Sequence, residues 1–193
     1  MTLVLASSSP IRRAMLEAAG IGHEVLPPSI DERAIKSRLS RPGEIALELA
    51  DAKAIEVSKG RADDWVIGSD SIVSIEGRLF DKPADRGQAA EHLRFFSGKA
   101  MELTSAVALA RGGAVDWSHC DRASLHVRNL SESFIQAYLE AEWPGVAYCV
   151  GAFRIEGPGV QLFERIDGDH FTILGMPLVP LLGALRDRGV IEA

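Results

Sequence analysis

The residues best suited to chemistry begin almost at the N-terminus. Ser7-Ser8-Ser9-Pro10-Ile11-Arg12-Arg13 sets hydroxyls, free backbone N–H groups and fixed positive charge at the start of one helix. That is the combination an anion, above all a phosphate, requires. A capping serine before a helix explains the same serines without a ligand. Asp70 follows an apolar run, Trp65-Val66-Ile67-Gly68, at the strand end where α/β sheets place ligands. An acid there can bind a divalent cation or activate water, or can end the strand in an Asx-turn. Lys53 and Lys82 would supply cations for a phosphate tail. Read alone, each is an ordinary solvated lysine. Asp31 and Glu32 read as loop acids, and Glu156 stands in a glycine-bounded loop.

Several other chemistries lack their residues. No Gly-x-Ser-x-Gly nucleophile elbow, Walker A sequence or GxGxxG is present. His23, His92, His119, His126 and His170 form no HxH or HxxxH pair, and Cys120 and Cys149 form no CxxC, so a structural zinc or copper site is not expected. The net charge of −6 argues against binding a nucleic acid polymer, which needs a broad basic surface. A phosphate site must therefore be a local basic pocket.

These residues need elements to hold them. A strand over 2–6 leads into a helix capped by Ser9, opened by Pro10 and closed by Gly20. A second strand is expected over 23–26, then a polar loop containing Asp31-Glu32-Arg33. Pro42–Lys59 has the periodicity of a long helix. The run 65–75 reads as a strand, Glu76-Gly77 as a hairpin turn and 78–80 as its return. Asp85 caps a helix ending at Phe96. Residues 99–111 and 114–128 read as long strands joined at Gly112-Gly113. Ser131 caps a further helix, 147–159 is loop, 160–166 a strand and 177–188 a terminal helix.

The expected class is thus α/β or α+β, with a mixed, twisted sheet flanked by helices, in a single domain over 1–193. No apolar run is long enough to span a membrane. The N-terminus lacks the features of a signal peptide, so two reduced thiols in a cytoplasmic protein are expected.

Taken together, the segments resemble the Maf family of nucleoside triphosphate pyrophosphatases. The matching stretches run in order: Leu5–Arg13, Asp31-Glu32, Ala52-Lys53-Ala54, Gly68-Ser69-Asp70, Lys82-Pro83, Ser97-Gly98-Lys99, Gly151–Gly157, Glu164–Asp169 and Leu174–Leu178. The resemblance implies a fold like that of inosine triphosphatases, with two lobes around a deep nucleotide cleft. It implies cleavage between the α- and β-phosphates, a divalent cation (Mg²⁺ or Mn²⁺), and a homodimer.

By position, Asp70 matches the proton acceptor. Ser7, Ser9, Arg12, Arg13, Lys53 and Lys82 match phosphate-contacting or nearby positions, and Asp31 and Glu32 match acidic positions near the metal, which Glu32 and Asp70 would hold. Glu156 resembles the branch acting on 7-methyl-GTP, where the dTTP/UTP branch carries Gln. Ile11 and Ser71 stand at two further positions that differ between the branches. The alternatives are the dTTP/UTP activity, or a nucleotide-binding regulator of cell division that turns over little.

Overall fold

The computed structural model describes residues 1–192. The elements run β1 (Leu3–Ala6), α1 (Pro10–Ala18), β2 (Glu24–Val25), α2 (Glu32–Arg38), α3 (Pro42–Lys59), β3 (Trp65–Ile75), β4 (Arg78–Phe80), α4 (Arg86–Phe96), β5 (Ala100–Arg111) and β6 (Ala114–Val127). They continue as α5 (Glu132–Glu142), two 3₁₀ turns (Gly145–Tyr148 and Pro158–Leu162), β7 (Phe163–Asp167), α6 (His170–Leu174) and α7 (Leu178–Asp187). The strand order is β2-β1-β3-β5-β6-β7, with β4 pairing β3. The sheet is mixed, as expected. β1 runs parallel to β2 and β3, whereas β3–β4 and β6–β7 are antiparallel.

The chain divides into two compact units. The first comprises Met1–Ser71, Thr104–Asp121 and Asp169 onward; the second comprises Ile72–Leu103 and Arg122–Gly168. The core of the first gathers Leu5, Leu16, Ile67, Leu109, Met176 and Leu181, with the partly buried Ile11 packed against it. Ile11 thus spends at least part of its side chain on the core. In the second unit Phe80, His92, Phe95 and Phe96 pack edge-on or tilted, and the Lys99 ammonium stands 3.6 Å from the Phe95 ring centre. A cation over that ring covers an aromatic cluster with a charged head.

Two sequence expectations are corrected, and one further helix appears. The polar stretch after residue 30 contains α2, capped by Asp31, whose Oδ1 accepts from Ala34 N at 3.0 Å. Only Ile35 of this helix is buried, so no apolar periodicity announces it. Residues 160–162 belong to a 3₁₀ turn that starts at Pro158, and β7 begins at Phe163. Lastly, α6 forms after Asp169, which caps it by accepting from Thr172 N. No helix among the described residues is long and apolar enough to cross a membrane.

Candidate active site

Strand register explains why Asp70 is available for chemistry. It does not end β3 but lies inside it, and the strand continues to Ile75. Its parallel neighbour is what ends: the β1–β3 pairing runs from Leu3↔Trp65 to Ala6↔Gly68 and stops. Asp70 therefore lies two residues beyond the last parallel pair, where β1 has already given way to Ser7–Ser9. The parallel part of the sheet does end there, which is the property that makes such positions ligand sites.

Helix α3 sets what Asp70 meets. A methyl group at Gly68 would stand 2.1 Å from Ala50 O and 2.7 Å from Ala54 N, so only a glycine lets α3 lie this close. Two residues along, on the same face of the strand, Asp70 reaches Lys53 of α3. Lys53 Nζ donates to Asp70 Oδ1 at 2.5 Å and lies 2.7 Å from Glu32 Oε1. Lys53 is only 7% exposed. A buried ammonium needs partners of opposite charge, and both carboxylates provide them. The ordinary surface lysine and the solvated loop acid are therefore two parts of one ion cluster.

Ser69 and Ser71 project from the other face of β3, and there they meet Arg12. Arg12 Nε donates to Gly175 O at 2.8 Å, Nη2 to Ser71 Oγ at 3.1 Å, and Nη1 makes a long contact of 3.5 Å with Ser7 Oγ. Gly175 O also accepts from Ser69 Oγ at 3.0 Å. Its left-handed φ of +106° ends α6 and turns the chain there, a conformation glycine adopts without strain. Ser105 Oγ is 2.9 Å from Ser71 Oγ and donates to Thr172 O at 2.8 Å. Proton counting orders this chain. Ser105 gives its proton to Thr172 O, so the single proton of Ser71 goes either to Ser105 or to Gly175 O, which lies 3.1 Å from Ser71 Oγ. Ser71 keeps a lone pair for Arg12.

The guanidinium is held in one orientation, with N–H groups on Nη1 and Nη2 left for an anion. Burial pushes the Arg12 guanidinium below its usual value, opposed by the charges of Asp70 and then Glu32. The two faces of β3 thus feel one another electrostatically. Ser69, Ser105 and Thr172 are fully buried hydroxyls that sequence reading passed over. For Ser69 and Ser105, hydroxyls within apolar strands were the available signal; Thr172 lies in α6.

Of the other expected members of this segment, Arg13 lies apart from the group. Arg13 is exposed and pairs with Glu17 one turn along α1, Nε to Oε1 at 2.7 Å. The structure does not bring it to the cluster. Ser9 caps α1, its Oγ accepting from Arg12 N at 3.4 Å. Ser7 is buried, and its Oγ accepts from Ser9 N at 3.1 Å.

Lys82 and Glu156 belong to the second unit. Both are exposed, and among the described residues neither has a hydrogen bond or ion pair. They share a neighbourhood with Cys149. Burial and then Glu156 push that thiol up, Arg154 and Lys82 push it down, and Glu142 pushes it up again. Cys120 and Cys149 form no disulfide.

The carboxylates can also be weighed as metal ligands. Among the described residues no three His, Cys, Asp or Glu side chains come together. Glu32 and Asp70 do converge, on Lys53 Nζ. Two carboxylates, completed by water and phosphate oxygens, suit a hard cation such as Mg²⁺ and not zinc or copper.

Comparison with known proteins places the chain among relatives of nearly its own length. The profile of the Maf family (Maf-like protein) matches residues 2–188. The chain is 47% identical over 195 residues to the 7-methyl-GTP pyrophosphatase of Rhizobium meliloti (strain 1021), covering 99% of this chain and 98% of that protein. It is 48% identical over 194 residues to the protein of the same name from Rhizobium etli, covering 98% of each. It is 46% identical over 192 residues to the nucleoside triphosphate pyrophosphatase of Granulibacter bethesdensis, covering 97% of this chain and 98% of that one.

Proposed function

The chain belongs to the Maf family, and from that premise we propose that it is a nucleoside triphosphate pyrophosphatase that cleaves 7-methyl-GTP to the monophosphate and pyrophosphate. The observation that carries the reaction is the buried Lys53 ammonium held between Asp70 and Glu32, beside an oriented arginine. Nucleotide binding alone needs the cations. It does not need a buried carboxylate that a lysine fixes by one oxygen.

The reaction is a displacement at the α-phosphorus. A bond forms from the water oxygen to the α-phosphorus, and the bond from that phosphorus to the bridging oxygen breaks. The electron pair leaves with pyrophosphate. Lys53 fixes Asp70 by Oδ1, leaving Oδ2 to orient the water and take its proton. Arg12 binds the phosphate tail and opposes the charge that grows on the leaving group. Ser7 offers its hydroxyl to the same tail. Glu32 and Asp70 would hold Mg²⁺ or Mn²⁺, which when bound neutralises phosphate charge. Ser71 works through Arg12 in this scheme, and Arg13 has no part in it.

Glu156 supports the choice of base. A carboxylate accepts hydrogen bonds from the N1–H and N2–H₂ edge of guanine and favours the positive charge of a 7-methylated ring. Relatives at similar identity carry the name 7-methyl-GTP pyrophosphatase. Two cysteines that form no disulfide suit a reducing compartment, so the proposal places the protein in the cytoplasm.

Release of pyrophosphate from 7-methyl-GTP, GTP, dTTP and UTP, with Mg²⁺ or Mn²⁺ supplied, tests this. The expected result is turnover with the highest kcat/KM on 7-methyl-GTP. Tight binding of triphosphates without release of pyrophosphate would mean a regulator instead. Preference for dTTP or UTP would retain the chemistry and reject the base assignment.

A further inference from the structure

The residue proposed to read the base sits on a short turn of the second unit. Gly157 N donates to Arg154 O at 3.2 Å, closing a β-turn whose central residues are Ile155 and Glu156. Glu156 is therefore aimed by whatever fixes Arg154.

Arg154 is fixed on both sides. Its Nε and Nη2 reach Glu142 Oε2 at 2.9 and 2.8 Å. Glu142 is only 5% exposed and is the last residue of α5, where the helix dipole already opposes an anion. A carboxylate so placed is costly without a cation, so the pair is tight because each half needs the other. The backbone of Arg154 is held as closely: a methyl at Gly159 would lie 2.4 Å from its O and 2.7 Å from its N. One turn before Glu142 on the same face of α5, Tyr138 Oη donates to Ala152 O at 3.1 Å. That bond anchors the segment entering the turn at a residue with a φ of +54°. Helix α5 thus grips the segment at Ala152 and at Arg154, and Glu156 projects beyond the second grip.

The charges complete the argument. Arg154 feels both Glu142 and Glu156, the hydrogen bonds to Glu142 being the larger influence. Were the guanidinium not held by Glu142, there would remain the other carboxylate whose charge it feels, Glu156, the one meant for the substrate. We propose that the Glu142–Arg154 ion pair is a positioning device for base selection: it pins the 154–157 turn and keeps the Arg154 charge engaged, so that the Glu156 carboxylate stays free for a cationic purine. Glu142 and Arg154 touch no substrate in this account. They act through Glu156, and the inference rests on the base assignment above.

The test compares kcat/KM for 7-methyl-GTP with that for dTTP in the full-length protein. A role in general stability would scale both nucleotides alike. Glu156→Gln comes first, and its ratio should fall about tenfold or more, the worth of a charged hydrogen bond. Glu142→Gln is nearly isosteric and leaves Arg154 without its counter-charge. Its ratio should fall several-fold, through a raised KM for 7-methyl-GTP with kcat nearly unchanged. In Glu142→Gln/Glu156→Gln the ratio should match that of Glu156→Gln alone. Should Glu142→Gln fail to fold, Arg154→Lys keeps the charge but loses the fork and should show the same shift in smaller measure.

A ratio that moves in Glu156→Gln but not in Glu142→Gln or Arg154→Lys overturns the positioning role and leaves the base assignment standing. A ratio unmoved in Glu156→Gln overturns both.

Discussion

The two groups of polar residues are built in opposite ways. In the first unit, Lys53, Asp70 and Arg12 are attached to regular elements, closed in by neighbours and already hydrogen-bonded. In the second, Lys82 and Glu156 stand on loops, exposed and without hydrogen bonds or ion pairs among the described residues. Groups that make and break bonds gain from being fixed before substrate arrives, because a misplaced base or cation loses much of the benefit of orientation. A group that distinguishes one base from another needs an open carboxylate on a segment whose path is constrained from behind. The contrast predicts a division of labour: substitutions in the first unit alter rate for every triphosphate, and substitutions around the 154–157 turn alter which triphosphate is preferred.

Asp70→Asn carries the largest expected effect. It keeps the shape of the side chain and a contact to Lys53 but cannot take a proton. kcat should fall by about 10²–10⁴ with all nucleotides, and the ratio between 7-methyl-GTP and dTTP should stay that of the parent. Steady-state kinetics on both substrates decide it. Near-parental turnover with saturating metal would remove Asp70 from its role. A shifted ratio would break the division between the units.

How much of this was readable beforehand follows from how local each feature is. The serine–proline start of α1, the length of α3 and the Gly112-Gly113 hairpin depend on neighbours in sequence, and they appear where caps and periodicity place them. The pairing of Lys53 with Asp70 and Glu32 depends on how closely α3 lies on β3, a matter settled at Gly68. No pattern around Lys53 announces that. The Ser105–Ser71–Arg12 chain spans 93 residues of sequence and exists only once β5 and α6 are in place. The resemblance to a family named the positions. Burial and hydrogen bonding assign them separate tasks.

Ser105→Ala tests the arginine side of the first unit. It removes the hydroxyl 2.9 Å from Ser71 Oγ and leaves Thr172 O without that donor. Ser71 then keeps only Gly175 O for its proton, and Arg12 has a less fixed neighbour. About 1 kcal/mol is at stake, so kcat/KM should fall roughly fivefold and equally for all nucleotides. A selective loss for one base would mean that Ser71 reads the base directly, and the assignment of Ser71 to Arg12 would have to be withdrawn.

Tyr138→Phe is the corresponding test of the second unit. It deletes one hydrogen bond, to Ala152 O, and keeps the ring. Stability should fall by about 1 kcal/mol, measured by denaturant unfolding. The nucleotide ratio should drift in the direction of Glu142→Gln but by less, because Arg154 still holds the turn. An equal loss for both nucleotides would show that the grip at Ala152 serves stability alone.

The smallest expected effect lies on α3 itself and separates stability from chemistry. Asp51 lies two positions from Lys53, which turns it to a different side of the helix. Its Oδ1 is buried without a partner, and burial, then the charge of Glu48, pushes its carboxyl up to about 6 from 3.8. Because the folded-state pKa lies above the unfolded one, the folded protein holds a proton that the unfolded chain has released. Stability is therefore lost as pH rises from about 4 through 6, and it levels off above that. Partial exposure of the side chain keeps the loss modest. Asp51→Asn removes the ionisation, so it should raise the melting temperature at pH 8 and leave it nearly unchanged at pH 4. Its kcat/KM on every nucleotide should match the parent at both pH values. If Asp51→Asn instead shifted the pH profile of turnover, α3 would be contributing a second titrating group to the reaction, and the first unit would hold more of the chemistry than Lys53, Asp70 and Arg12 account for.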